Sequence, residues 1–269
     1  AYINLKNKMV GRNVVILGSG DIGMIMARRM TLEGAKVLGV FEIQPYPSGL
    51  PRNVEQCLND YHIPLYLSHS VTDIRGRDRL ESVVVSQVDE NLAPIPGTEK
   101  EYPCDTLILS VGLIPENELT WMAGAEADEG TKGPAVDENY QTTVPGIFAA
   151  GNVLHVHDLV DFVSLEAEAL AEGAARLIQE GSLPGCHLNV KGDPLVGQLV
   201  PARISGQNDV TVSFRVRRPL KDCTIEICQG ENVIKRLKKP KALPAEMIQI
   251  SIQAEKLNTA DDLEVKVIC

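Results

Sequence analysis

The 269-residue sequence predicts a three-layer α/β fold followed by a small all-β sandwich, on three observations. The apolar run Val14-Val15-Ile16-Leu17 leads into the turn Gly18-Ser19-Gly20-Asp21-Ile22-Gly23 and then into a helical stretch, Met24 to Met30. Between residues 71 and 103 the apolar segments become short and alternating, with polar, Gly- and Pro-bearing connections such as Asn91 to Gly97. After Gly185 a period of two takes over, the signature of half-buried strands.

Taken in order, Val14 to Leu17 reads as a fully buried strand, Asp21 to Leu32 as a helix, and Lys36 to Phe41 as the next parallel strand after the Gly34 stop. That is one βαβ unit, the core of a Rossmann-like domain. Asn53 to Tyr61 reads as a second helix and Ile63 to Leu67 as a third strand. Val71 to Ile74, Leu80 to Val88 and Glu101 to Pro103 suggest an antiparallel meander closing one edge of the sheet, before Thr106 to Val111 returns as a buried strand ending at Gly112. Pro115 to Thr143 is loop-rich with one short helical piece, Glu116 to Met122. Gly146 to Ala150 reads as a short buried strand, and Asp161 to Gln179 as a long helix. On that helix Ala167, Ala169, Ala171, Ala174 and Ala175 would suit close packing on a sheet. In the tail, Val210, Val212, Phe214 and Val216 alternate, as do Ile225 and Ile227, Ile248, Ile250 and Ile252, and Leu263, Val265 and Val267. Short strands with turn signals at Gly206 to Asp209 and Pro240 to Pro244 fit a small antiparallel sandwich.

Charge and cysteines narrow the function classes. Residues 1–186 carry 13 Lys+Arg against 26 Asp+Glu, and 187–269 carry 13 against 10, so the formal charge of -10 argues against a nucleic-acid partner. The one basic cluster, Lys235, Arg236, Lys238, Lys239 and Lys241, reads as a strand edge or loop blunted by cations. No apolar run approaches a membrane span, and Ala1 to Val10 is not a basic-then-apolar signal, so a cytoplasmic location is expected. The cysteines (57, 104, 186, 223, 228, 269) show no Cys-x-x-Cys and no metal-like pairing, and are expected to be reduced and structural. Cys223 and Cys228 should face opposite sides of one strand.

The glycine turn has a physical purpose. Gly18 permits the tight exit from the strand, Gly20 leaves the backbone open to a pyrophosphate, and Gly23 lets helix and strand lie close. The helix amides of Asp21 and Ile22 and their partial positive charge then sit under the phosphates, with Ser19 inside the turn. Glu42, 24 residues after Gly18, falls at the tip of the next strand, where a carboxylate accepts from adenosine ribose hydroxyls. It would also repel a 2′-phosphate, and the nearest cation downstream is Arg52, so NAD(H) is expected over NADP(H).

Two further motifs need a partner segment. Thr106-Leu107-Ile108-Leu109-Ser110-Val111-Gly112-Leu113-Ile114-Pro115-Glu116-Asn117 resembles the crossover of two-dinucleotide flavoprotein reductases, and Thr143-Val144-Pro145-Gly146-Ile147-Phe148-Ala149-Ala150-Gly151-Asn152 resembles their second flavin motif. With the glycine turn, these motifs make residues 11–182 similar to the pyridine nucleotide-disulphide oxidoreductase superfamily, in particular to members that accompany glycerol-3-phosphate and amine-oxidising dehydrogenases. The resemblance implies NADH at the glycine turn with Val111 and Gly112 beside it, and FAD approached by Gly151, Asn152 and amides near Asp158 to Asp161. Asn152 stands where the family carries Asp, so it would hydrogen-bond a ribityl hydroxyl without charge. No flavin turn precedes Asn13, so the chain is expected to be a fragment that binds NADH, with FAD belonging to the full-length protein.

The expected domains are 1–113, NAD-binding; 114–185, the C-terminal part of a split FAD-binding domain; and 186–269, the sandwich. His155 and His157, beside Asp158 and Asp161, have a spacing open to metal or acid–base roles. The preferred reading has Asp158 or Asp161 capping the helix near Val160, with no metal and no catalytic residue assigned, since hydride transfer needs stacking more than a protein acid. The expected function is the NADH-binding part of an FAD-dependent oxidoreductase that exchanges electrons with a partner protein or small carrier, a homo-oligomer being left open. The alternative is a non-catalytic NAD-binding, redox-sensing module whose β domain mediates interaction. A single-nucleotide 2-hydroxy acid dehydrogenase is disfavoured, because no substrate domain with a paired His and Arg follows.

Overall fold

In a computed structural model, which describes residues 5, 6, 8 and 10–269, strand β1 (Asn13–Leu17) lies inside a four-stranded parallel sheet. Its neighbours are β2 (Lys36–Glu42) and, on the other side, β7 (Thr106–Leu109), with β3 (Leu65–Leu67) beyond β2, in the order β3-β2-β1-β7. Successive residues of β1 point to opposite faces. Val14 and Ile16 meet Met24, Ala27 and Met30 of helix α1 (Asp21–Leu32), together with Cys57 and Leu58, while Val15 on the other face joins Phe41, Val83, Val85 and Cys104. Both faces are covered, which is why the strand reads as an unbroken apolar run.

Three expectations for this region are corrected. The second helix is not regular: α2 (Pro51–Asn53) passes into a π turn, Val54–Leu58, and a 3-10 turn, Asn59–Tyr61. The third strand starts later than Ile63, at Leu65. The meander, β4 (His69–Arg75), β5 (Ser82–Gln87) and β6 (Lys100–Pro103), forms a separate three-stranded sheet and does not close an edge of the parallel one. It packs face to face through Val83 and Val85, so the three layers are helices, parallel sheet and meander. The expectation for Ala1 to Val10 falls largely on residues outside those described.

The chain divides into two compact units, Ala1–Gly112 and Leu113–Cys269. In the second, α3 (Glu118–Met122) is followed by loops tied by isolated bridges. The expected strand over Gly146 to Ala150 is one of those bridges, Gln141 to Phe148, too short to make a ladder. Helix α4 (Val160–Glu180) buries only Glu166 and Gly173. Its alanines do not pack on a sheet: Ala167, Ala169, Ala171 and Ala175 are exposed, and the close approach is at Gly173, where a Cβ would lie 2.6 Å from the Asn139 carbonyl oxygen.

The sandwich is built from β8 (Leu188–Gly192), β9 (Val196–Val200), β10 (Arg203–Ile204), β11 (Val210–Val216), β12 (Leu220–Gln229), β13 (Asn232–Ala242), β14 (Ile248–Ile252) and β15 (Leu263–Ile268). Its sheets run β10-β8-β15-β12-β13 and β14-β11-β9, and they enclose a core that includes Phe214, Ile225, Ile227, Ile250 and Val265. The basic cluster lies on β13, an edge strand. Cys223 lines the core, and Cys228, also buried, lies outside it. All six thiols are free.

Candidate functional site

The glycine turn separates what the fold needs from what it leaves open. Gly18 has φ +95°, and a Cβ there would lie 2.1 Å from the Ser110 carbonyl oxygen; at Gly23 it would lie 2.7 Å from both the Gly18 oxygen and Ser110 Cβ. These two glycines are demanded by the chain's own packing against the residue that follows β7. Gly20 is different: its nearest neighbour would be the Ser110 hydroxyl, at 3.3 Å. Gly20 is also the N-cap of α1 and no side chain caps the helix, so the first-turn amides of Asp21, Ile22 and Gly23 have no intrahelical acceptor. Val111 is exposed beyond β7, and Gly112 follows it with φ +95° and open space around its Cβ position.

Glu42 is turned inward. At 4 % exposure, its Oε2 accepts from the Ser19 N–H (2.9 Å), the Ser19 hydroxyl (2.6 Å) and the Ser48 hydroxyl (2.8 Å), and Oε1 accepts from the Gln44 N–H (3.0 Å). The expected open ribose acceptor is therefore a clasp on the turn itself, with lone-pair capacity left mainly on Oε1. Asp21 is likewise occupied: its Oδ1 accepts from the Leu50 N–H (2.8 Å) and the Asn53 amide (2.6 Å). Gly49 lets this segment close in, since a Cβ there would lie 2.8 Å from the Asp21 nitrogen. Ser48, Gly49, Asn53 and Ser110 escaped the sequence reading. Pro47-Ser48-Gly49 was a visible turn signal, but nothing local says which glycine turn it folds onto.

The second cluster surrounds Gly151, which opens a 3-10 turn, Gly151–Val153, at φ +71°. Its N–H donates to Glu166 Oε2 at 2.5 Å. His155 Nε2 lies 2.7 Å from Glu166 Oε1, and His157 Nε2 lies 3.0 Å from Oε2. Both Nδ1 atoms are buried with no partner among the described residues, so the contact each ring makes with the carboxylate is through Nε2. Burial pushes the Glu166 carboxyl up, but the hydrogen bonds from His155 and His157, the His155 charge interaction and the Gly151 amide together bring it down to about 2. Burial, and then the Glu166 charge, push the Tyr140 phenol up. The ligand-type atoms of His155, His157 and Glu166 lie within 4.8 Å of one another, and each imidazole Nε2 is engaged by the carboxylate.

The capping role expected for Asp158 or Asp161 is corrected: the N-cap of α4 is Leu159, with no side-chain bond. Asp158 instead accepts from Arg215 of β11 at 2.9 Å. The same guanidinium donates to the Val156 carbonyl (3.2 Å) and the Pro244 carbonyl (3.0 Å). Asn152 is exposed; its Oδ1 accepts the His157 N–H at 3.1 Å, and its amide N–H2 has no acceptor among the described residues. A hollow of about 230 Å³ beside it is lined by Leu113, Ile114, Glu116, Asn152, Val153 and Val156. Glu166 and Arg215 had no sequence signal, being one acid among several on a polar helix and one Arg in a strand 57 residues from Asp158.

The profile of the family "Pyridine nucleotide-disulphide oxidoreductase" matches residues 2–175. Curated relatives include an NADH oxidase of Methanocaldococcus jannaschii, 28% identical over 182 residues, covering 65% of this chain and 36% of that protein. Another is an NAD(P)H sulfur oxidoreductase (CoA-dependent) of Pyrococcus abyssi, 29% identical over 160 residues, covering 58% and 32%. Among solved structures, T. acidophilum thioredoxin reductase aligns with TM-score 0.54 and 26% identity over 64% of this chain and 53% of that one. The chain spans about a third of the length of these two curated relatives.

Proposed function

The chain belongs to the pyridine nucleotide-disulphide oxidoreductase family, whose members use NAD(P)H and flavin, and on that premise we propose that its first unit binds NADH at the 18–23 turn. The observation that carries this is the contrast among the glycines. Gly18 and Gly23 are fixed by internal contacts, whereas the open side of Gly20 adjoins an uncapped helix N-terminus, the arrangement that receives a pyrophosphate. The buried Glu42 carboxylate beside the turn disfavours a 2′-phosphate by charge, and Val111 and Gly112 border the site.

In this reading FAD lies along the Gly151 to Asp161 loop. The fit rests on the amide donor of Asn152, the apolar hollow next to it and the uncapped N-terminus of α4. Asn152 and the loop amides would hold a flavin there, and the group would supply the hydride acceptor for NADH and the relay to an acceptor outside the chain, a partner protein or a small carrier. The protein's part is to hold the loop: Glu166 clasps Gly151, His155 and His157, and Arg215 fixes Val156 and Asp158. Isothermal titration of the chain with NADH and with NADPH tests the nucleotide assignment. NADH binds more tightly in this reading, and Gly20→Val abolishes binding while leaving the fold intact. Tighter NADPH binding, or an unaffected Gly20→Val variant, would overturn it.

A further inference from the structure

In the sandwich, β12 and β15 pair antiparallel with Thr224 opposite Ile268, Ile225 opposite Val267 and Ile227 opposite Val265. Extending that register by one residue sets Cys223 opposite Cys269. Cys223 belongs to the inward-facing row of Ile225, Ile227, Val265 and Val267, and alternation along the strand sets Cys269, just past the end of β15, on the same side at the exposed margin of that row. Directly opposed residues on one face have Cβ atoms about 4.5–5.5 Å apart, so two thiols placed there come within reach of one another. Their proximity also shows electrostatically: burial and then the neighbouring Cys269 thiol push the Cys223 thiol up. The two differ in access, Cys223 being 1 % exposed and Cys269 exposed.

We propose that Cys223 and Cys269 are an oxidation site that forms a reversible cross-strand disulphide with a low-molecular-weight disulphide as oxidant. The exposed Cys269 thiolate attacks one sulphur of the oxidant, breaking its S–S bond and releasing one small thiol. Cys223 then gives up its proton and attacks the Cys269 sulphur, releasing the second. Two protein thiols lose two electrons and two protons, and one small disulphide becomes two thiols. The exposed member reacts first and the buried one resolves, the order that access dictates. Cys228, on the same strand but outside the core, has no part in it. The site does not depend on the nucleotide or flavin assignment.

The test incubates the folded chain with oxidised glutathione, blocks remaining thiols with N-ethylmaleimide, and maps peptides without reduction. The expected product is a peptide pair joined through Cys223 and Cys269, with the mass lowered by two hydrogen atoms and restored by dithiothreitol. In Cys223→Ser, Cys269 stops at the glutathione adduct; Cys228→Ser behaves like the parent. A parent chain that retains glutathione on Cys269 with Cys223 free, or that dimerises through Cys269, overturns the proposal.

Discussion

At the scale of single residues, the site consists of side chains spent on one another. Gly18→Ala and Gly23→Ala force a Cβ into Ser110 and should each destabilise the chain by about 1–3 kcal/mol, the usual cost of overpacking, as seen in chemical denaturation. Gly20→Ala, with only a hydroxyl at 3.3 Å, should leave the denaturation midpoint nearly unchanged and weaken NADH binding in calorimetry. Glu166, 6 % exposed, gives a signed pH dependence. Its folded carboxyl, at about 2, lies below its ordinary 4.5, so its stabilisation is complete above that ordinary value and drains as pH falls from there towards 2. Glu166→Gln should cost about 2–3 kcal/mol at neutral pH and flatten that acid limb, measured by urea denaturation at stepped pH. The glycine turn and its acid at 42 could be read directly from the sequence, because spacing along one strand–turn–helix defines them. Glu166 and Arg215 could not, since their partners lie across the fold and nothing local marks them.

At the scale of elements, Arg215 ties β11 of the sandwich to the loop before α4. Arg215→Leu removes the donors held by Val156, Asp158 and Pro244, so amides of residues 156–161 should exchange faster in deuterium-exchange mass spectrometry while the amides of β1 keep their protection. Periodicity placed β1, α1, β2 and the sandwich strands, where burial is one- or two-sided and the pattern follows it. It read 53–61 as one regular helix, where α, π and 3-10 turns succeed one another, and it misplaced the meander, because a pattern of alternation does not distinguish extending a sheet from covering its face. The alanines of α4 misled for a related reason: small side chains permit close packing without requiring it, and the close approach falls at Gly173.

At the scale of the molecule, the two compact units meet in sequence at Gly112, flanked by exposed Val111, Leu113 and Ile114. Brief chymotrypsin treatment should cut after Leu113, and the fragment ending there should retain NADH binding; scattered cleavage through β1 or α1 would contradict this. Within the sandwich, β15 sits between β8 and β12, pairing parallel with one and antiparallel with the other, although it is the last strand to appear in the chain. During synthesis the larger sheet must therefore wait with a gap in its middle, two strand edges bare, until residues 263–268 leave the ribosome. A nascent chain stalled before Leu263 would expose those edges to neighbouring chains, so the interval before β15 is made is the one in which this domain is open to edge-to-edge pairing.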